Sequence, residues 1–168
     1  GLPLNAWYRD LAVQMQAAQA HNPAFASLFA FYAVLAQLLA VKSELGVQIH
    51  TAYRAKDTEA LSRLATTCTD AVPLVDALAT AWDTLWHQTY KAFGYEVIDM
   101  RLGALKARLT YTAKQLTRYA AEEIASIEEL EAEQLYFDGR AEQDITRSAM
   151  TDCALWDRIV SANPISAI

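Results

Sequence analysis

A nearly uninterrupted apolar run from Phe25 to Val41 constrains the fold of this chain more than any other feature. Within FASLFAFYAVLAQLLAV only Ser27 and Gln37 are polar, so a helix over this stretch is apolar on nearly every side. Such a helix either spans a membrane or forms the central element of a bundle. Spanning takes about 20 predominantly apolar residues, and here the charged residues Lys42 and Glu44 end the run. We therefore expect a central, buried helix of a water-soluble bundle, with a membrane span as the alternative.

Composition supports one helical domain of long helices. The chain has 168 residues, of which 54% are hydrophobic, and it contains only 5 glycines and 4 prolines. A chain of this length buries roughly 70% of its unfolded surface without disulfides or metals. The formal net charge is −6 and no basic run occurs. Nucleic acid is therefore not an expected partner, because phosphate contacts need clustered lysine and arginine.

The termini and the cysteines bear on location. The beginning, GLPLNAWYRD, has neither the basic nor the apolar region of a signal peptide. Cys68 and Cys153 form no CxxC pair, which favours a reducing, cytoplasmic compartment without deciding it. The chain does not begin with Met, so we expect a fragment of a larger protein.

Spacing and capping residues predict the helices at the N-terminal end of the chain. Apolar residues at intervals of three and four predict a first helix over 4–19. Asn22 is the expected N-cap of the central helix, with Pro23 at its first position, and that helix is predicted to continue to about Ala55.

Two further long helices follow. Asp57 is the expected cap of a helix that keeps its apolar spacing through Pro73, with a kink near 69–73 and an end at Phe93-Gly94. The next helix begins at Tyr95 and has a heptad pattern of buried positions: Tyr95, Ile98, Leu102, Leu105, Leu109, Thr112, Leu116 and Tyr119.

The C-terminal part is predicted to be less regular. Ser126 is the expected cap of a short acidic helix, with Glu129 as its capping-box partner. The predicted fold is thus all-α: an elongated antiparallel up-and-down bundle of three long helices, with a shorter N-terminal helix and the short acidic helix. A single domain is expected over 1–168, with the bundle over 1–138 and an irregular C-terminal arm over 139–168.

No cluster of residues in the sequence indicates catalysis. His87 follows Asp83 by one helical turn, but two ligands do not make a metal site, and an ordinary surface pair is the simpler interpretation. Cys68 falls on the apolar side of its helix, where an inert core thiol is expected. The glutamates at 128, 129, 131 and 133 are expected to form a solvated face. We therefore predict no catalytic, metal-binding or cofactor-binding residue.

Aromatic side chains at helical spacing are the remaining feature. Trp82, Trp86 and Tyr90 lie at i, i+4 and i+8, and Tyr95 follows beyond the turn. Rings in such a row bind sugars in some proteins, but they more often pack within a bundle or against another domain. Candidate interface residues are therefore Trp82, Trp86, Tyr95, Asp99 and Arg101.

The segment FGYEVIDMRLG over 93–103, with the following KARL, resembles the all-helical C-terminal domain of bacterial glycoside hydrolase family 20 exo-β-N-acetylhexosaminidases. The segments LAVKSELGVQIHTAY (39–53) and IEELEAEQLYF (127–137), and the ending WDRIVSANPISAI, resemble the same domain in the same order.

The resemblance implies an accessory role. In that family a (β/α)₈ barrel precedes the helical domain and carries an adjacent Asp-Glu pair that performs substrate-assisted hydrolysis. This sequence contains no Asp-Glu dipeptide, so no catalytic residue carries over and the chain alone is expected to hydrolyse nothing. The resemblance implies a domain that packs on the catalytic barrel. It is also compatible with a domain that supports homodimerisation or helps to border the mouth of the active site.

Two alternatives remain open from the sequence. One is a self-contained helical interaction or oligomerisation bundle with no enzyme attached. The other is a bundle that binds a small molecule or metal through His87 and Asp83.

Overall fold

The structure, a computed structural model, describes residues 3–132, and all statements below concern that part of the chain. The described residues form helices and no strand, which confirms the predicted all-α class. The elements are α1 Leu4–His21, a 3-10 helix Pro23–Phe25, α2 Ala26–Lys42, α3 Leu45–Arg54, α4 Thr58–Thr89, α5 Tyr95–Ala120 and α6 Glu128–Glu131. The arm predicted over 139–168 lies outside the described residues.

Successive helices pack on one another in a simple order. Helix α1 packs on α2, α2 and α3 pack on α4, and α4 packs on α5. The chain reverses direction between α3 and α4 and again between α4 and α5, so that Phe31 near the start of α2 meets Trp82 near the end of α4. The end of α4, the start of α2 and the start of α5 therefore lie at the same end of the molecule.

The core lies where α3, α4 and α5 meet. The largest side chains with less than 2% exposure there are Leu45, Ile49, Leu61, Leu109, Leu116, Val75, Thr112 and Cys68. Every position of the predicted heptad pattern in α5 is buried or half-buried, which confirms that pattern. Burial on this scale supplies the main favourable term in folding.

The predicted continuous helix up to Ala55 is wrong, because a turn at Ser43 and Glu44 separates α2 from α3. The side chain of Asn5, at the start of α1, contacts both turn residues. Ser43 Oγ donates a hydrogen bond to Asn5 Oδ1 at 2.7 Å, and Asn5 Nδ2 donates to Glu44 Oε2 at 3.0 Å. These bonds hold the turn against α1, and local sequence spacing contains no sign of them.

Helix α2 is apolar as predicted, but the expectation that it is buried on all sides is wrong for the described part. Four of its 17 residues are buried, and they are Ala33, Ala36, Leu38 and Ala40. Among the described residues, Pro23–Arg54 is the one segment that is long and apolar enough to cross a membrane. The most apolar 18 residues of this segment have a mean hydropathy of 2.1, and 22% of them are buried. The core helix of a soluble protein can be equally long and apolar, so length and composition do not by themselves indicate a membrane span.

Three predicted helix ends are also corrected. Helix α4 ends at Thr89, because the next residue, Tyr90, has an extended backbone (φ −127°, ψ 175°). Asn22 does precede Pro23, but its side chain makes no cap bond and donates instead to the Ala18 carbonyl oxygen at 2.8 Å. The short acidic helix begins at Glu128 and spans four residues, and Ser126 does not cap it.

Helix α4 follows the prediction along most of its length. The backbone N–H of Ala60 donates to Asp57 Oδ1 at 2.9 Å, which confirms the predicted cap. The helix continues through Pro73 for 32 residues, as predicted from its unbroken spacing. A kink at this proline stays a prediction. Pro73 is exposed and has no N–H to donate to the carbonyl of Thr69, one turn earlier.

Replacing Pro73 with alanine is therefore expected to stabilise the domain by about 2 kcal/mol. Proline in a helix interior is about 3 kcal/mol less favourable than alanine, and the more flexible unfolded chain of the variant offsets about 0.4–1 kcal/mol of that gain. Urea unfolding followed by far-UV circular dichroism measures the effect. Thr66→Ala, at another exposed site of α4, is the control for a change in helix propensity alone. If Pro73→Ala raises the free energy of unfolding by no more than this control does, the prediction is contradicted.

Candidate interaction surfaces

A continuous row of aromatic rings connects α2 to the end of α4. Neighbouring centroids lie 5.4 Å apart for Tyr32–Phe31, 5.4 Å for Phe31–Trp82, 5.2 Å for Trp82–Trp86 and 4.8 Å for Trp86–Tyr90. These distances are typical of favourable aromatic pairs. We call these five residues the aromatic row.

Two of the predicted interface residues, Trp82 and Trp86, belong to the aromatic row, and their role at an interface stays a prediction. Trp82 is half-buried and contacts Phe31 on one side and Trp86 on the other. Trp86 Nε1 donates to the Lys91 carbonyl oxygen at 2.7 Å, which ties the chain after α4 back onto the helix. Neither ring is a freely exposed binding platform in the described part.

The more exposed apolar surface at this end was not predicted from the sequence. Tyr90 is 61% exposed, Phe93 92%, Val97 45% and Met100 65%, and we call these four residues the turn patch. Val97 and Met100 lie between the heptad positions of α5. The sequence feature that could have indicated this exposed surface is the presence of large apolar residues outside the heptad pattern of α5.

The polar side chains beside the turn patch form a small group. His87 Nδ1 lies 3.1 Å from Asp83 Oδ1, and both side chains are about half exposed, at 46% and 58%. The His87 ring centroid is 5.0 Å from that of Tyr95. Burial, followed by the nearby carboxylates of Asp83 and Asp99, raises the pKa of the Tyr95 hydroxyl.

This polar group contains few metal ligands. Within residues 3–132 no set of three His, Cys, Asp or Glu side chains is placed to hold a metal ion. Asp99 and Arg101, the last two predicted interface residues, are exposed on the first turns of α5. Tyr95 thus lies next to His87, Asp83 and Asp99, and the predicted surface pair of Asp83 and His87 is confirmed.

The turn between α4 and α5 depends on one glycine. Gly94 has φ +92°, which confirms the predicted left-handed conformation, although it lies directly before α5 instead of closing α4. Its N–H donates to Glu96 Oε2 at 3.0 Å. A Cβ at Gly94 would approach Trp86 no closer than 3.5 Å, so a substitution is strained by the backbone and not by crowding.

Two glycine substitutions are expected to have opposite effects on stability. Gly94→Ala should destabilise by about 1–2 kcal/mol, because a Cβ is unfavourable in the left-handed region. Gly103→Ala should stabilise by about 0.5–1 kcal/mol, because Gly103 is inside α5 and a Cβ there meets nothing within 4 Å. Urea midpoints of both variants test this pair; effects of the same sign contradict it.

A second apolar surface lies between α1 and α2. A groove of about 430 Å³ opens there, and every residue lining it is apolar or aromatic. Its walls include Tyr8, Leu11 and Met15 from α1 and Leu28, Tyr32 and Leu35 from α2. We call it the α1–α2 groove. Two further exposed rings, Trp7 on α1 (49%) and Phe25 in the 3-10 helix before α2 (60%), do not line this groove.

The acidic helix α6 is attached to the bundle more closely than expected. Tyr53 OH donates to Glu131 Oε1 at 2.6 Å and accepts from the backbone N–H of Ile127 at 3.0 Å. Burial, and then the hydrogen bond to Glu131, raises the pKa of this phenol. Arg108 forms a half-buried ion pair with Glu129. The prediction of a solvated face is therefore wrong for Glu129, whereas Glu128 and Glu131 are exposed, Glu131 with its bond to Tyr53. The glutamate predicted at 133 lies outside the described residues.

The one described thiol is part of the core. Cys68 is 0% exposed, and burial raises its pKa to about 12. A thiol with so high a pKa is almost entirely protonated at neutral pH and is a poor nucleophile. The prediction of an inert core cysteine is confirmed.

Comparison with known proteins gives one match. The model of the family described as "Glycoside Hydrolase 20C C-terminal domain" matches residues 1–150. A search of curated proteins finds no significant match. The family match covers all of the described helices, including both apolar surfaces. The chain therefore belongs to the family of glycoside hydrolase 20C C-terminal domains.

Proposed function

We propose that this chain is the non-catalytic C-terminal accessory domain of a β-N-acetylhexosaminidase, and that it packs on the catalytic barrel of the same polypeptide. The observation that carries the proposal is the family match over residues 1–150. A C-terminal domain of this family implies a catalytic domain elsewhere in the parent chain. The role of this domain would be to support the barrel, not to supply reacting groups.

The chemistry of the described side chains is consistent with that role. The buried Cys68 thiol is protonated at neutral pH. Glu129 and Glu131 bond to Arg108 and Tyr53 within the bundle, so they serve to attach α6. Apolar surface, in contrast, is abundant, and large exposed apolar patches mark sites of protein–protein contact.

Activity measurements test the proposal directly. The 168-residue chain and the full-length enzyme encoded by the same gene are assayed on a chromogenic β-N-acetylglucosaminide. Turnover is expected from the full-length enzyme and not from the chain alone. Turnover by the chain alone, abolished by a single carboxylate substitution such as Asp83→Asn, would refute it. The coding sequence upstream of Gly1 gives a second test, since it should encode a barrel.

A role in homodimerisation is a second candidate, favoured by the turn patch. Phe93 is 92% exposed and follows Tyr90 by three residues, at the end of the molecule that also carries Tyr95, Asp99 and Arg101. Sedimentation of the wild-type chain should show a dimer that Phe93→Glu converts to monomer. Val47→Glu, at a 71% exposed site on α3, is the matched control. A wild-type monomer at all concentrations would remove this candidate.

A further inference from the structure

We infer that the α1–α2 groove is the surface on which the catalytic domain packs, through an apolar helix face inserted between α1 and α2. This inference rests on the proposed function and goes beyond it, because it names the contact surface and the chemistry of its occupant. Three observations carry it: the incomplete burial of α2, the apolar lining of the groove, and the position of the groove next to the start of α1.

Helix α2 requires a further apolar neighbour. A helix that is apolar all round is typical of a buried element, yet of the 17 residues of α2 four are buried, twelve are half-buried and Tyr32 is exposed. Helix α4 covers one side and α1 covers another. Tyr32, which lines the groove, remains 46% exposed. The groove is therefore an uncovered part of a helix whose sequence is suited to a core.

The lining of the groove selects an apolar occupant. Side chains such as Leu11, Met15 and Leu28 offer no hydrogen-bond donor or acceptor to a polar ligand. A volume of about 430 Å³ accommodates several aliphatic or aromatic side chains. Helices bind such grooves by placing residues at i, i+3, i+4 and i+7 into them. Leu, Ile, Val and Phe from one helix face are thus the expected contact residues.

Position favours the polypeptide that precedes α1 over the polypeptide that follows α6. The groove begins at Tyr8, four residues after the start of α1 at Leu4, a helical distance of about 6 Å. The described chain ends beside α6, whose Glu131 is bonded to Tyr53 at the far end of α3. A domain joined directly before α1 therefore has a high effective concentration at the groove.

Amide hydrogen exchange on the full-length enzyme and on the 168-residue chain tests this inference. Peptides from α1 and α2 should exchange at least tenfold more slowly in the full-length enzyme. Peptides from the first half of α4, distant from the groove, should exchange equally in both. Tyr8→Glu and Tyr32→Glu, at two residues that line the groove, should remove the extra protection in the full-length enzyme while leaving the exchange of the isolated chain within twofold of wild type.

Each alternative occupant gives a distinct result. Val47→Glu, exposed on α3, should leave the protection unchanged in both proteins. Protection of α1 and α2 that is already present in the 168-residue chain would overturn the inference. If this protection rises with protein concentration, the occupant is a second copy of the chain. If truncation after Ala132 removes the protection, the occupant is the C-terminal segment. Protection of the chain by phosphatidylcholine vesicles would instead indicate a membrane. If the full-length enzyme is active but α1 and α2 gain no protection, the inference fails and the proposed function stands.

Discussion

Ile49→Ala is expected to lower the free energy of unfolding by about 3 kcal/mol, more than any of the other substitutions. Ile49 is 0% exposed and belongs to the core where α3, α4 and α5 meet. Truncating a buried isoleucine to alanine loses the transfer free energy of three carbon atoms and leaves a cavity, which together cost about 2–5 kcal/mol. Urea unfolding of the 168-residue chain, followed by far-UV circular dichroism, measures the loss.

Val47 provides a matched control for this substitution. It lies two residues earlier on the same helix, is also β-branched, and is 71% exposed. Val47→Ala should change stability by no more than about 0.5 kcal/mol, as most surface substitutions do. Equal effects at the two positions would mean that the packing of α3 differs from the one described.

Tyr53→Phe is expected to destabilise the domain by about 2 kcal/mol. The phenol is the hydrogen-bond partner of two groups on the following segment: it donates to Glu131 and accepts from the buried N–H of Ile127. Removing it leaves that N–H without this partner, and a buried unsatisfied donor costs about 1–3 kcal/mol. Faster amide exchange in residues 127–131 should accompany the loss, because this bond helps to hold α6.

Tyr111→Phe is the matched control, since it deletes the same atom from a tyrosine that is 41% exposed. The ring under the Arg108 guanidinium, 5.0 Å away, is retained in that variant. We expect a change below about 0.5 kcal/mol. If Tyr53→Phe is equally mild and residues 127–131 keep their exchange rates, the phenol does not hold α6.

The elements that the sequence predicted well are those whose cause is local. Asp57 caps α4 through the N–H of Ala60, three residues away. The heptad pattern of α5 follows from spacing within one helix, and the left-handed Gly94 follows from the residue type itself. In each case the determining partner lies within a few positions of the residue, where pattern analysis detects it.

The predictions that failed depended on partners far away in sequence. The turn at Ser43 is held by Asn5, 38 positions away. The start of α6 uses Tyr53, 74 positions from Ile127, where the sequence indicated a Ser126 cap. A local pattern contains no information on such contacts, because the two segments are neighbours only in the folded chain.

The candidate surfaces show the same division. The spacing of Trp82 and Trp86 predicted a row of rings, but only the structure showed that these two rings pack on one another and that Phe93 is 92% exposed. The sequence by itself determined the all-α class, the starts of α1, α4 and α5 and the family resemblance, because periodicity and capping are local properties. Only the tertiary structure decided which apolar helix faces are covered by α1, α4 and α5 and which remain open. The physical reason is that the burial of a face depends on neighbouring helices, which the sequence of a single helix does not specify.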